Sequence, residues 1–285
     1  MIDESARESV QSRLKLILAY DGTQFSGSQR QSGNRTVQGV LEEAIASLIN
    51  GPVKVAMAGR TDAGVHALGQ VASCEDIRCD LEPTRLRLAL NAQLPADVSV
   101  LEVARAASTF DPRRDARWRR YRYRIWVGPR QPLMISQSLQ MNGPLNVMRM
   151  LHGAVRFNGE HDFASFAGLG MGVPGARGLG PRGTVRTIYR AHVRSRTSQE
   201  YRGQVIEIDI VGDAFLPGQV RSMVGALLDV GRGKVQPDWI EELISAADRR
   251  RGPKAAPPHG LTLVEVGYED WDPERISKRE TGTLW

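Results

Sequence analysis

The chain has 285 residues, 41% of them hydrophobic and 25% charged, the make-up of a water-soluble globular protein with one large or two modest domains; no run approaches the roughly 18 uninterrupted apolar residues of a membrane span. Its two cysteines, Cys74 and Cys79, and five scattered histidines exclude a disulfide scaffold and supply no four-ligand set for zinc, so no metal or other cofactor is expected. The net charge of +6 comes from 38 basic residues, of which only Lys15, Lys54, Lys234, Lys254 and Lys278 are lysine. An arginine surplus points to a polyanionic partner, most simply nucleic acid, although a generic basic surface gives the same count.

Residues 1–12 are polar, without the apolar stretch of a signal peptide, and read as a disordered tail on a cytoplasmic protein. Leu14, Leu16, Leu18 and Tyr20 alternate as in a strand, and Asp21-Gly22 marks a turn after it. Val37, Val40, Leu41, Ala44, Ile45, Leu48 and Ile49 recur at helical spacing, with Thr36 as N-cap and Asn50-Gly51 as stop. Val53, Val55 and Met57 predict a second strand and 68–74 a third; a short helix opens at Pro83, and strands follow near 98–104 and 121–127. In the second half, helices are expected over 145–155, 219–230 and 237–247, and strands over 184–194 and 261–268. Ile206, Ile208 and Ile210 alternate with Glu207 and Asp209, the pattern of a half-buried strand. The sequence 270–285 reads as a loose polar tail.

Strands and helices mix without a regular βαβα rhythm, which fits α+β: a mostly antiparallel sheet with helices on one side. Each half resembles a βαββ-type unit, so two related lobes with a central cleft are expected. The corresponding division is a tail (1–12), an N-terminal lobe (13–110), a C-terminal lobe (111–270) and a polar tail (271–285). Residues 168–183 hold seven glycines and two prolines. Gly170-x-Gly172-x-x-Gly175 has the form of a dinucleotide fingerprint, but no strand leads in and Pro174 interrupts it, so a surface loop is the better reading.

The densest chemical signal is Ala58-Gly59-Arg60-Thr61-Asp62-Ala63-Gly64-Val65-His66, at the end of a strand. Polar side chains on a short, strand-anchored loop are well placed to act in a cleft, while an aspartate in such a turn commonly serves only to cap nearby amides. Farther on, Arg113, Arg114, Arg117, Arg119, Arg120, Arg122 and Arg124 crowd around Trp118 and Tyr121, a mixture that suits phosphate contact and base stacking, or a solvated basic face. Tyr121 and Tyr123 share a strand face, so one or both could be core.

Residues 59–66 with Gly69-Gln70-Val71 closely resemble the catalytic motif of the TruA family of tRNA pseudouridine synthases. Tyr20-Asp21-Gly22 with Phe25, Gly27, Gln29 and Arg30, then Thr36-Val37-Gln38, is similar to the family's N-terminal block. Arg120-Tyr121-Arg122-Tyr123 resembles the segment of its active-site tyrosine, and Ala214-Phe215-Leu216 with Val220-Arg221 its late arginine motif. Ala255-Ala256-Pro257 before Gly260-Leu261 is similar to its closing segment. The resemblance implies the pseudouridine synthase fold, no cofactor, a homodimer, and isomerisation of uridine in the tRNA anticodon arm, at positions 38 to 40. It also implies roles: Asp62 as nucleophile, Arg221 as its salt-bridging partner, Tyr121 stacked on the target base, and Arg60, Arg113, Arg114 and Phe110 against the RNA. Departures from the pattern are Ser28 in place of tryptophan, Pro217-Gly218-Gln219 without histidine or asparagine, Asp111-Pro112 before Arg113, and the long glycine-rich stretch. They bear on substrate choice more than on chemistry. A synthase of shifted specificity and a non-catalytic RNA-binding or RNA-folding protein are the rival readings.

Overall fold

The computed structural model describes residues 12–75, 81–168 and 182–274; residues 1–11, 76–80 (with Cys79), 169–181 and 275–285 lie outside the described residues. The first half runs β1 (Arg13–Tyr20), α1 (Val37–Ile49), β2 (Ala56–Met57), β3 (His66–Glu75), α2 (Pro83–Gln93) and β4 (Val98–Ala106). The second runs β5 (Trp118–Val127), β6 (Leu139–Met141), α3 (Val147–Ala154), β7 (Gly159–Asp162), β8 (Val185–Ser198), β9 (Gly203–Gly212), α4 (Gln219–Gly231), α5 (Trp239–Ala246) and β10 (Leu261–Gly267). These strands form one sheet in the order β4-β1-β3-β10-β5-β9-β8-β7, with β2 also on β3 and β6 on β5. All pairings are antiparallel except β3–β10 and β5–β6.

Apart from β6, β7 and α5, the halves repeat one plan. A strand and helix lead to a hairpin (β2–β3, β8–β9), then a helix and a strand that returns to pair with the first (β4 on β1, β10 on β5). The fold is α+β, with two related lobes meeting where β10 lies beside β3.

Alternation builds the core. Leu14, Leu16, Leu18 and Tyr20 all face inward, each burial contributing about 1.5–3 kcal/mol. They share a core with Leu41 and Ile45 of α1, Tyr123 and Ile125 of β5, and Met223 and Leu227 of α4, so helices cover one face of the sheet. The expected caps of α1 are present: Thr36 accepts from the Gly39 amide, and Asn50 takes a left-handed conformation that ends the helix.

Three expectations are corrected. The second strand is only Ala56–Met57, because the Val55 amide donates to Glu42 and the Val55 carbonyl accepts from Gln38, so α1 side chains satisfy this backbone instead of a ladder. Strand β9 is buried on both faces, not one: Glu207 and Asp209 are enclosed by Arg120, Arg122, Arg124 and Arg194 at 2.7–3.6 Å. The segment after Gly267 is fastened rather than loose through Trp271, since Asp270 pairs with Arg117 and Trp271 packs edge-on against Trp118. Strands β6 and β7 carry no alternation of their own to read. Among the described residues, no helix is long and apolar enough to cross a membrane.

Candidate active site

The loop between β2 and β3 presents Asp62. One ladder bond closes its base, from the Ala58 amide to the Val71 carbonyl (2.8 Å), and a turn bond runs from the Val65 amide to the Asp62 carbonyl (3.1 Å). Between them, side chains from elsewhere hold the loop. The Thr61 amide donates to Ser28 Oγ (2.9 Å), Thr61 Oγ1 meets the Tyr20 hydroxyl (2.9 Å), and Gln70 bonds both the Gly59 carbonyl (2.8 Å) and amide (3.3 Å). Gly27 permits this approach: its φ is +104°, and a Cβ there would stand 2.9 Å from the Thr61 carbonyl oxygen. Ser28, where the sequence departs from the family pattern, is therefore a buried clamp on the Asp62 loop.

The Asp62 carboxylate is not consumed by its turn. Its partner is Arg221, whose Nη1 donates to Asp62 Oδ2 at 2.8 Å. Asp111 offers the contrast: its carboxylate accepts from the Arg113 and Arg114 amides and so caps their turn, holding its own pKa below the usual carboxylate value. The Asp62 side chain is 43% exposed and that of Arg221 22%, because the pair faces an open cleft. Arg221 occupies the first turn of α4, where the helix dipole disfavours a cation. The Asp62 carboxylate offsets this, as does the Ala256 carbonyl, which accepts from Arg221 Nε at 2.8 Å. Gly218, at φ +70°, makes the turn into α4, and Gln219 folds back to cap the Leu216 amide (2.8 Å).

A cavity of about 920 Å³ opens above the pair, between the lobes. Asp62, Arg60, Thr61, Tyr121, Phe215 and Arg221 line it, and Arg113, Arg114 and Arg117 stand on its rim. Tyr121 is buried, its ring edge-on to Phe215 (centroids 5.3 Å apart, 87° between planes). Burial, and then Tyr20 and Asp62, push its hydroxyl pKa above the ordinary tyrosine value, so the hydroxyl keeps its proton at neutral pH.

The arginine-rich stretch divides in two. Arg120, Arg122 and Arg124 face the other side of the sheet and are occupied by Glu207 and Asp209, which corrects their expected place in a phosphate-gripping cluster. Arg119 is buried and donates to the carbonyls of Ala58 (3.3 Å), Arg113 (2.8 Å), Ala116 (3.0 Å) and Asp213 (2.6 Å). It ties three cleft-lining segments together. Strand alternation forces this division, since neighbouring residues on β5 point to opposite faces.

Comparison with known proteins follows the same outline. A family model described as tRNA pseudouridine synthase matches residues 16–113 and 154–269. The chain belongs to the tRNA pseudouridine synthase family. Proteins named tRNA pseudouridine synthase A from Geotalea uraniireducens (39% identical; 90% of this chain, 99% of the relative), Frankia casuarinae (41%; 94% and 93%) and Chloroflexus aurantiacus (40%; 95% and 94%) are similar over nearly their whole lengths. The family is one of isomerases. Tyr121 lies between the two matched stretches.

Of the synthase residues expected from sequence, the cavity brings together Asp62, Tyr121, Arg221, Arg60, Arg113 and Arg114. Phe110 is not among them. It packs beside Tyr268 (5.2 Å), whose hydroxyl donates to the Pro112 carbonyl (2.9 Å), so it supports the turn of Arg113 and Arg114 from behind. The sequence reading missed Arg182, Arg186 and Asp213, which also line the cavity; nothing in their local pattern sets these two arginines apart from the many others.

Proposed function

We propose that this chain converts uridine to pseudouridine in tRNA through a covalent adduct of Asp62, within the anticodon arm at positions 38 to 40. The supporting observation is a carboxylate free of its own turn, held by Arg221 at 2.8 Å and facing a cavity beside a buried tyrosine. In the reaction the N1–C1′ bond breaks, the uracil rotates and a C5–C1′ bond forms. C5 loses a proton and N1 gains one, so the product is an isomer and no redox partner or cofactor is consumed. Asp62 attacks either a base carbon or the ribose carbon, and its adduct keeps the fragment in place during rotation. Arg221 keeps the carboxylate aimed.

A base inside a helix is out of reach, so the target nucleotide must be extruded and held against a flat side chain, the part given to Tyr121. Arg60, Arg113 and Arg114 contact phosphates, with Phe110 bracing the turn behind two of them. With this reading come a cytoplasmic setting and a homodimer, in which one subunit holds the tRNA body while the other's cleft receives the uridine.

The test is site-by-site pseudouridine mapping on tRNA transcripts lacking modification, incubated with the protein alone. Conversion at 38 to 40 is expected. Conversion elsewhere would overturn the site assignment, and none anywhere would overturn the activity. Association is expected to weaken steeply with salt; a flat response would contradict the arginine rim.

A further inference from the structure

Beside the reaction cavity, β8 carries a β-bulge. Ile188 pairs with Gly212 and Arg190 with Val211, leaving Tyr189 without a partner residue across the ladder. An extra residue of this kind re-aims its side chain, and Tyr189 is 40% exposed. Its ring lies nearly parallel to that of Trp271, with centroids 6.3 Å apart and 15° between planes. Trp271 in turn rests edge-on against buried Trp118 at 5.1 Å, and the Trp118 indole donates to the Glu269 carbonyl at 3.1 Å. The aromatic pair is thus anchored to the end of the sheet.

The pair adjoins the cavity at two points. Asp270, next to Trp271, is paired with Arg117, and Arg182 is paired with Asp213; Arg117, Arg182 and Asp213 all line the cavity. Burial and the Asp213 carboxylate raise the pKa of the Tyr189 hydroxyl, with Arg182 opposing, and the Thr187 amide, two residues before Tyr189 on β8, donates to that carboxylate at 3.1 Å. A flat aromatic surface flanked by arginines suits an unpaired nucleotide, base on ring and phosphate on guanidinium. Extruding one nucleotide leaves its neighbours with an unsatisfied stacking face.

We infer that Tyr189, backed by Trp271, is a stacking platform for a base adjacent to the extruded uridine. This inference rests on the proposed activity toward tRNA. It adds to Tyr121 a second aromatic contact from the lobe opposite Arg60, at the β-bulge of β8.

The test uses the full chain and an unmodified tRNA transcript carrying 2-aminopurine in turn on either side of the mapped target uridine. Binding is expected to quench one of the two positions. Tyr189→Ala is expected to remove that quench and raise KM by roughly ten-fold or more, the range of base–aromatic stacking, with kcat changed by less than about two-fold. Tyr189→Phe keeps the ring and is expected to match the wild type. Thermal melting of each variant separates loss of contact from loss of fold. The platform is overturned if Tyr189→Ala leaves both quench and KM unchanged, or if Tyr189→Phe is as impaired as Tyr189→Ala, which would assign the effect to the hydroxyl. Wild-type protein that forms no pseudouridine in this tRNA would overturn the proposed activity and the platform with it; pseudouridine formed by Tyr189→Ala at the wild-type KM would overturn the platform alone.

Discussion

The two hairpins that hold equivalent places in the lobes are built differently. β8 and β9 pair over ten register positions, whereas β2 and β3 pair over two. In the second lobe the backbone ladder does the holding, reinforced by arginines wrapped around Glu207 and Asp209. In the first, the stub leaves a loop that Ser28, Tyr20 and Gln70 grip through side chains, and it leaves the edge of β3 open to β10. An incomplete hairpin is what makes room for the Asp62 carboxylate in the cleft: a full ladder would fix residues 58–65 as strand and tight turn, with no cleft beneath them.

The comparison can be broken most severely at its reactive end. Asp62→Ala is expected to lower turnover on the order of 10³-fold or more while tRNA affinity stays within a few-fold, measured by pseudouridine formation and filter binding. A parallel loss of binding would instead signal damage to the loop. Arg221→Ala removes a charge-assisted bond and is expected to cost roughly 10- to 100-fold in kcat. Arg221→Lys is expected to recover only part of that, because an ammonium does not span both Asp62 and the Ala256 carbonyl as the guanidinium does.

On the ladder side the lever is acid. Burial opposes the charge of Glu207, yet Arg122 and Arg194, with hydrogen bonds from Arg124 and Arg194, hold its pKa at about 2 against an ordinary 4.5. The folded value lies below the unfolded one, so this contribution to stability is complete above about pH 4.5 and is lost as pH falls toward 2. Denaturant unfolding at pH 5 and pH 3 is expected to differ by on the order of 2 kcal/mol from this group, a difference that Glu207→Gln is expected to flatten. The smallest effect tests the side-chain grip: Ser28→Ala strands the Thr61 amide, a change of about 1–2 kcal/mol, visible as faster hydrogen exchange at that amide. Unchanged protection at Thr61 would show that Tyr20 and Gln70 hold the loop without Ser28.

Most of the fold was legible because single-period patterns decided it. β1, α1, α2 and β10 begin where alternation, caps or proline say they begin. The stub β2 was not legible, since Val53, Val55 and Met57 alternate like a strand, and the competing partners, Glu42 and Gln38, lie on a helix a sequence cannot dock. The same limit governs the site. Asp62 and Arg221 stood out through motif resemblance, but their exposure depends on how far the lobes part. The arginines around Tyr121 form one cluster along the chain and two in space, because β5 sends alternate side chains through the sheet. Trp271 looked like part of a tail because nothing local announces that Trp118 and Tyr189 wait for it.

One feature of the sheet fixes the order in which this molecule can become competent. β10, the last strand among the described residues, is the plank laid between β3 and β5, and the segment just before it supplies the Ala256 carbonyl to Arg221, the Pro257 carbonyl to Tyr123 and the His259 carbonyl to His66. During synthesis, both Asp62 and Arg221 therefore leave the ribosome before the piece that locks their lobes together. A nascent chain that has yet to add this piece carries Asp62 and Arg221 without the Ala256 carbonyl that holds the Arg221 guanidinium.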